Sequence, residues 1–364
     1  VDLELSDEQV WIEESINTLL DRQWPAAEAA WQAGESDRAR LWEYLVDFGL
    51  LSGAGTDLGA IELCLVARAI GGHLASVPLL GSVGVRYALA PLAGEGPDGF
   101  AAVRDGESRL SIALLEPGGG WSAASARATV ESGRVTGAKA AVEHAADADH
   151  FAVVARVDGE PGLAVVGSGS PGIELTPQSS LDATVPLSRV TFTDAGVDAI
   201  ADHQLGETVV DRLTSVGGLL AAAEAIGAAS GIFEQARRYA SERRQFGRTI
   251  GSNQALRHLM ADLHVRQASG WSTTLFAAAA LDDGMPGARQ TASVAKAYVS
   301  RAAREVAHGS MQIFGGIAFT EEHPAHRFLR RIIVREQQFG DAAHHERELG
   351  RSLAAGALRE RMAV

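Results

Sequence analysis

The stretch that decides the fold is SERRQFGRTIGSNQALRHLMADL, residues 241–263, read together with MQIFGGIAFTEEH, residues 311–323. The first segment ends one long helix, turns at Gly247 and Gly251, and starts another. It sets Arg243, Arg244 and Arg248 around Phe246 and follows Gln245 with a second amide at Gln254. The second segment places Gln312 ahead of the paired glycines Gly315 and Gly316, where backbone can approach a ligand closely. A guanidinium pairs bidentately with phosphate oxygens, amides satisfy ribose or phosphate polar atoms, and glycine N–H groups line anion-binding concavities. The two segments read as two halves of a clamp for a pyrophosphate-bearing cofactor.

Outward from the clamp, the chain changes period twice. Residues 6–105 read as helical: Ser6 or Asp7 caps a first helix carrying Val10, Ile16, Leu19 and Leu20, the pattern continues through Leu41–Leu51 and Ile61–Ile70, and Pro78 opens another helix. Between 109 and 200 the runs RLSIALL, HFAVVAR, GLAVVG and LSRVTFT are short and apolar, with Ser132-Gly133 and Asp158-Gly159 as turns and Pro161, Pro171, Pro177 and Pro186 at edge or loop positions. From about 205 to 356 apolar residues recur at helical spacing again, among them Leu219, Ile226 and Phe233, then Leu256 and Leu263, then Val294, Tyr298, Ala302 and Val306. The expected fold is α+β: an N-terminal helical domain over 1–106, a middle β domain over 107–204 and a C-terminal four-helix bundle over 205–364.

With 46% hydrophobic and 21% charged residues, 364 residues suffice for a sizeable core. A net charge of −14 argues against a general nucleic-acid role. The single cysteine, Cys64, cannot close an intrachain disulfide, and the first residues are polar and acidic where a leader would be basic and apolar; a cytoplasmic location is expected. No membrane span is expected, because the most apolar stretches are interrupted by Arg68, Glu224 and Lys296.

The α–β–α order, the RxQFG segment at 243–247, a glutamine eleven positions after its arginine and the QxxGG segment at 312–316 together resemble the acyl-CoA dehydrogenases. The resemblance is strongest over residues 226–332. It implies a flavoenzyme fold that desaturates an acyl-CoA thioester between its α and β carbons. It also implies an FAD site shared by two subunits: one holds the isoalloxazine ring and supplies the base, while its neighbour reaches across to the pyrophosphate and adenosine. On that resemblance the reaching set is Arg243, Gln245, Phe246, Gln254, Gln312, Gly315 and Gly316.

The half that holds the ring departs from the family pattern. Where the family has a hydroxyl residue near the pyrimidine edge, Leu115 opens the run Leu115–Trp121 and cannot hydrogen-bond. Where the family has Trp-x-Thr, this chain has Ala141 and Glu143, and a carboxylate there would oppose charge developing on the flavin during reduction. Abstracting the α-proton of a thioester needs a carboxylate close to that carbon. The two positions that supply it in the family fall on Phe339 and Gly217; neither is a base, and the carboxylates nearby are Asp211, Glu224, Glu336 and Asp341. No catalytic residue is therefore assigned. Losses confined to one half of a shared site resemble the non-catalytic subunit of the actinobacterial α2β2 acyl-CoA dehydrogenases, many of which act on steroid side chains as CoA thioesters. The implied partners are a catalytic dehydrogenase chain, an acyl-CoA held mainly by it, and an electron-transfer flavoprotein. A self-sufficient homo-oligomeric dehydrogenase with a displaced carboxylate and a flavin-free scaffold are the alternatives.

Other features carry less. His323, His326, His344 and His345 lie near acidic residues, but Pro324 disturbs the helical spacing a metal site needs, and no metal is expected. Arg327, Arg331 and Arg335 recur every fourth residue and suit either ion pairs across subunits or CoA phosphates. Glu116-Pro-Gly-Gly-Gly120 has no following Lys-Ser/Thr to make a P-loop. Trp11, Trp24, Trp31 and Trp42 are expected in core or interface. The segment Gly49–Gly59 is short relative to the family's loop.

Overall fold

The computed structural model describes residues 3–24, 38–47, 49, 58–90, 100, 108–121, 123–201 and 203–362. Trp31, Leu51 and most of the 49–59 loop lie outside them. The order along the chain is α–β–α. Among the described residues four helices come first: α1 (Asp7–Gln23), α2 (Arg38–Asp47), α3 (Ala60–Gly72) and α4 (Leu79–Leu89). Then come β1 (Leu110–Ala113), β2 (Thr129–Glu131), β3 (Arg134–Glu143), β4 (His150–Val157), β5 (Glu160–Gly167), β6 (Ile173–Gln178), β7 (Leu187–Gly196) and β8 (Ala199–Ala201). The last part holds α5 (His203–Glu242), the two-residue strands β9 (Arg244–Gln245) and β10 (Arg248–Thr249), then α6 (Gln254–Asp282), α7 (Ala288–Phe314), α8 (Ala325–Gln337) and α9 (Ala342–Met362).

Contacts divide the chain into two compact units that interleave its sequence. One holds Ser76–Gly217 with Ala33–Gly59. Its sheet runs β6-β7-β3-β2-β4-β5-β8, with β1 added in parallel to β4. The Val- and Ala-rich strands β4 and β5 are buried on both faces, as a strand without alternation predicts, and Phe151 meets Phe192 edge-on at 5.9 Å in the core between strands. Ser132-Gly133 and Asp158-Gly159 are two-residue hairpin turns with both residues at positive φ, as expected from the sequence. The sequence reading missed β3, because RVTGAKAAVE lacks the β-branched alternation of an ordinary strand, yet β3 pairs with both β2 and β7. Pro177 sits on the edge strand β6, where a missing N–H costs nothing.

The other unit holds Val1–Gln32, Ala60–Ala75 and Gly218–Val364. Here α1 starts with a full capping box between Ser6 and Gln9 and buries Ile12, Ile16 and Leu20; Val10, expected on that face, is exposed. Helix α3 approaches α5 through glycines: a Cβ on Gly227 would overlap the carbonyl oxygen of Arg68, and one on Gly71 that of Glu224. Arg68 spreads its guanidinium 4.4 Å over the Trp271 ring. Helix α5 is long and apolar enough to cross a membrane, contrary to the sequence expectation, but 89% of its most apolar window is buried in the fold, which marks a core helix.

The arginine stripe of α8 does neither thing the sequence suggested. Arg331 and Arg335 are buried within this chain, and both approach Glu224 of α5. Val294 and Tyr298, expected in the core of α7, are exposed, while Ala302 and Val306 further along are buried.

Candidate cofactor site

Helix α5 ends at Glu242, and the Arg243 amide still donates to the Tyr239 carbonyl at 2.8 Å. The chain then doubles back as a two-residue β-hairpin, with Gln245 opposite Arg248 and the Ile250 amide closing the base on the Arg243 carbonyl at 2.9 Å. The turn residues are Phe246 and Gly247, at φ of 52° and 79°. Glycine adopts that region freely, but a phenylalanine there costs about 1–2 kcal/mol. Its ring is 100% exposed, so nothing in this chain offsets the strain. Asn253, just ahead of α6, accepts from Arg248 at 2.7 Å, and Gln254 begins that helix with its side chain exposed.

The second half is the end of α7. Gln312 is exposed one residue before the buried Ile313 and two before the buried Phe314. Gly315 then terminates the helix at φ 70°, and a short 3-10 turn runs from Gly315 to Phe319. A Cβ on Gly315 or Gly316 would meet nothing within 4 Å, so their backbone is open to approach. Phe319 is 78% exposed. The halves are held together from below: the Tyr239 ring meets Phe314 at 5.3 Å, Phe314 meets the His323 ring at 4.4 Å, and Ile250, Leu256, Leu259 and Met260 pack on the same cluster.

All seven sequence-predicted residues thus lie on segments rooted in one core cluster, and all but the half-buried Gly315 are exposed. Sequence reasoning missed Tyr239, which sits one helical turn before Arg243 and anchors the assembly. The donor set suits an anionic, ring-bearing cofactor: guanidiniums for phosphate, amides for sugar or phosphate oxygens, open glycine backbone and an uncovered aromatic face.

Phe339, one of the two positions the resemblance pointed to for a base, is buried. After α8 the chain passes through Phe339 and Gly340 at φ of 57° and 101°. A Cβ on Gly218, the neighbour of Gly217, would lie 3.7 Å from the Cβ of buried Phe339. The nearby acids are engaged elsewhere. Fully buried Glu224 accepts from Arg331 at 2.7 Å, and Arg335 Nε lies 2.9 Å away. Glu336 is paired with Arg304, and Asp341 accepts the His344 amide at 2.7 Å to cap α9.

Two buried bases brace the Phe339 segment. Lys296 donates to the carbonyls of Arg335 at 2.6 Å and Glu336 at 3.0 Å, and burial pushes its ammonium down to about 7 against the pull of Glu336. His345 Nε2 lies 3.1 Å from the Phe339 carbonyl, and burial, aided by Lys296, lowers its imidazole to about 4.

In the sheet, Ala141 is a bulge residue at φ 50° whose amide donates to Gln178 at 2.7 Å, and the Glu143 carboxylate lies 3.6 Å from the buried His144 ring. Leu115 accepts from the Ala140 amide through its carbonyl only. The neighbouring Glu116 is buried and takes Lys139 at 2.7 Å and the amides of Arg127 and Ala128 at 2.8 and 2.9 Å. Burial opposes its ionisation, but these hydrogen bonds prevail and hold the carboxyl down to about 2. Among the described residues no group of His, Cys, Asp and Glu is placed to hold a metal ion.

Comparison with known proteins identifies the fold's relatives. Residues 206–354 match the acyl-CoA dehydrogenase C-terminal domain. The chain is 30% identical over 330 residues to the acyl-CoA dehydrogenase FadE27 of Mycobacterium tuberculosis, covering 86% of this chain and 88% of that one. Among solved structures, a Tcur3481-Tcur3483 steroid acyl-CoA dehydrogenase variant is similar with a TM-score of 0.85 at 27% identity, covering 97% of this chain and 99% of that one. The ChsE4-ChsE5 complex of Mycobacterium tuberculosis follows with a TM-score of 0.83 at 25% identity and the same coverage. With the α–β–α fold, the clamp segments and a relative of this identity along most of its length, the chain belongs to the acyl-CoA dehydrogenase family.

Proposed function

We propose that this chain is the base-free subunit of a heteromeric acyl-CoA dehydrogenase and completes an FAD site whose ring is held by a second, catalytic chain. The observation that carries the reading is the contrast between two ends of one helical unit. The Arg243–Phe246 hairpin, Gln254, Gln312 and Gly316 are exposed, as residues that reach a partner's cofactor would be. Phe339, a position expected for the base, is a buried phenylalanine, and Glu224, Glu336 and Asp341 are bound to other partners.

FAD, when bound, supplies the hydride acceptor for α,β-desaturation. Arg243 pairs with a phosphate, and Gln254 and Gln312 hold sugar or phosphate oxygens. Gly315 and Gly316 admit the cofactor against bare backbone, and Phe246 covers an apolar face and excludes water. The α-proton is taken by a carboxylate of the partner chain. The Tcur3481-Tcur3483 steroid enzyme among the similar structures favours a bulky CoA thioester, such as a steroid side chain, as substrate, and the two-chain ChsE4-ChsE5 complex favours an α2β2 assembly; the cytoplasm and an electron-transfer flavoprotein as acceptor follow from the family resemblance alone.

The test is to purify this chain alone and with the dehydrogenase chain encoded beside it, then measure flavin content and acyl-CoA desaturation. Flavin and turnover in the pair but not in the lone chain are expected. Stoichiometric FAD and turnover in the lone chain would refute the proposal and favour a self-sufficient enzyme, for which Asp211→Asn would abolish activity. A pair that assembles without flavin would leave the scaffold role.

A further inference from the structure

The hairpin beyond α5 has two faces, and the cofactor reading uses one of them. Gln245 stands opposite Arg248 and Arg244 opposite Thr249, and the Ile250 amide donating to the Arg243 carbonyl extends the same register by one rung. Side chains alternate along a strand, and directly opposed residues share a face. Arg243, Gln245, Arg248 and Ile250 therefore lie on one face. Ile250 packs on the Tyr239–Phe314 cluster, so this face is the one turned towards the Gln312–Gly316 turn. Arg244 lies on the other face, exposed, with the half-buried Thr249 across from it.

In charge this short region is the reverse of the chain around it. Between Glu234 and Arg257 six arginines stand against Glu234 and Glu242, a net 6 − 2 = +4 in a chain of net charge −14. Four of the six are engaged. Arg237 and Arg238 lie 2.7 and 3.9 Å from the Glu234 carboxylate, Arg248 donates to Asn253, and Arg257 donates to the Gly251 carbonyl at 3.1 Å. Among the described residues, no carboxylate or other acceptor meets the side chains of Arg243 and Arg244. Two neighbouring guanidiniums that leave a strand on opposite faces address two different anions. The cofactor's diphosphate takes the first; the second requires an acid from elsewhere.

We infer that Arg244 selects the partner: it pairs with a carboxylate on the acidic surface of the second chain. The inference rests on the two-chain reading of the function. A two-fold contact between copies of this chain would set the same patch against itself, and two patches of +4 repel. An acidic patch on an unlike chain is drawn in. Charge complementarity of this kind decides which partner is met, and how fast, more than how tightly it is held.

The test follows assembly and flavin separately. Arg244→Glu replaces an exposed side chain, so the melting temperature of the lone chain should not fall. The rate at which the variant joins the dehydrogenase chain encoded beside it is expected to drop about tenfold at low salt. Wild-type and variant rates should converge at high salt, where exposed charges are screened. Arg244→Lys, which keeps the charge, should keep most of the wild-type rate. Flavin per assembled complex should be unchanged in Arg244→Glu, whereas Arg243→Ala should assemble at the wild-type rate and lose flavin. If the wild-type chains form no complex, the two-chain reading fails and takes this inference with it. If they form one, and Arg244→Glu joins as fast as the wild type or assembles normally but loses flavin, this inference alone is overturned.

Discussion

The ring of Tyr239, near the end of α5, meets the ring of Phe314, at the end of α7, with centroids 5.3 Å apart and planes inclined by 53°. Through this contact the Arg243 hairpin and the Gln312–Gly316 turn share one foundation, although some seventy residues separate them in sequence. Phe314→Ala is expected to lower stability by about 3 kcal/mol, the usual cost of emptying a buried aromatic site. It should also weaken flavin retention in the assembled complex. Chemical denaturation and flavin absorbance read the two effects, and retention unchanged despite the lost stability would show that the halves do not depend on each other.

Phe246 separates fold from function. Phe246→Asn keeps a residue that tolerates positive φ and removes a ring that touches nothing. The melting temperature of the lone chain is expected to hold or rise slightly, while flavin bound by the complex falls at least tenfold. A drop in melting temperature with full flavin content would contradict both expectations.

The glycine contact between α3 and α5 sets a different limit. Gly227→Ala drives a methyl into the Arg68 carbonyl. Neither helix can yield locally, so a loss of at least about 2 kcal/mol is expected by urea unfolding, in line with other overpacked cores.

Glu224 is buried between Arg331 and Arg335. Glu224→Leu leaves two buried cations without their carboxylate and is expected to cost about 3 kcal/mol or more, the range for breaking a buried pair. If Glu224 were the base of a self-sufficient enzyme, Glu224→Gln would abolish turnover in any complex that still folds; retained turnover is expected.

Acid should unfold the sheet partly through Glu116. Its folded carboxyl titrates at about 2, below the ordinary 4.5, so the unfolded chain binds more protons between those values. The stabilisation is complete above pH 4.5 and disappears as pH falls through 2. Lys296 acts in the alkaline range: with its folded ammonium at about 7 against 10.5, stability rises as pH climbs from 7 towards 10.5. Urea midpoints of the wild type and Lys296→Met across pH 7–10 check this sign, because the variant should lose that rise.

Much of the architecture was legible because its signals are local. The α–β–α order follows from a change of period, and the Ser132-Gly133 and Asp158-Gly159 turns follow from residues that accept positive φ. What escaped depends on distant neighbours. Strand β3 is alanine-rich and extended because β2 and β7 flank it. The 244–249 hairpin hid because a phenylalanine is a poor resident of a left-handed turn. The arginine stripe looked like a surface feature until Glu224, more than a hundred residues away, supplied its buried partner. The seven clamp residues were named from the motifs of the family resemblance, but their common exposure was not foreseen, since it rests on which side of the Tyr239–Phe314 core each segment faces.

On the proposed reading, residue 246 answers to a requirement the folded monomer does not impose. A saturation library scored for soluble yield of the lone chain should therefore be indifferent there, and should enrich glycine and asparagine over the native phenylalanine. The same library scored for colour in the two-chain complex should return phenylalanine and little else. Where two such rankings of one position run in opposite directions, selection has acted on the assembly, at a cost to the single chain.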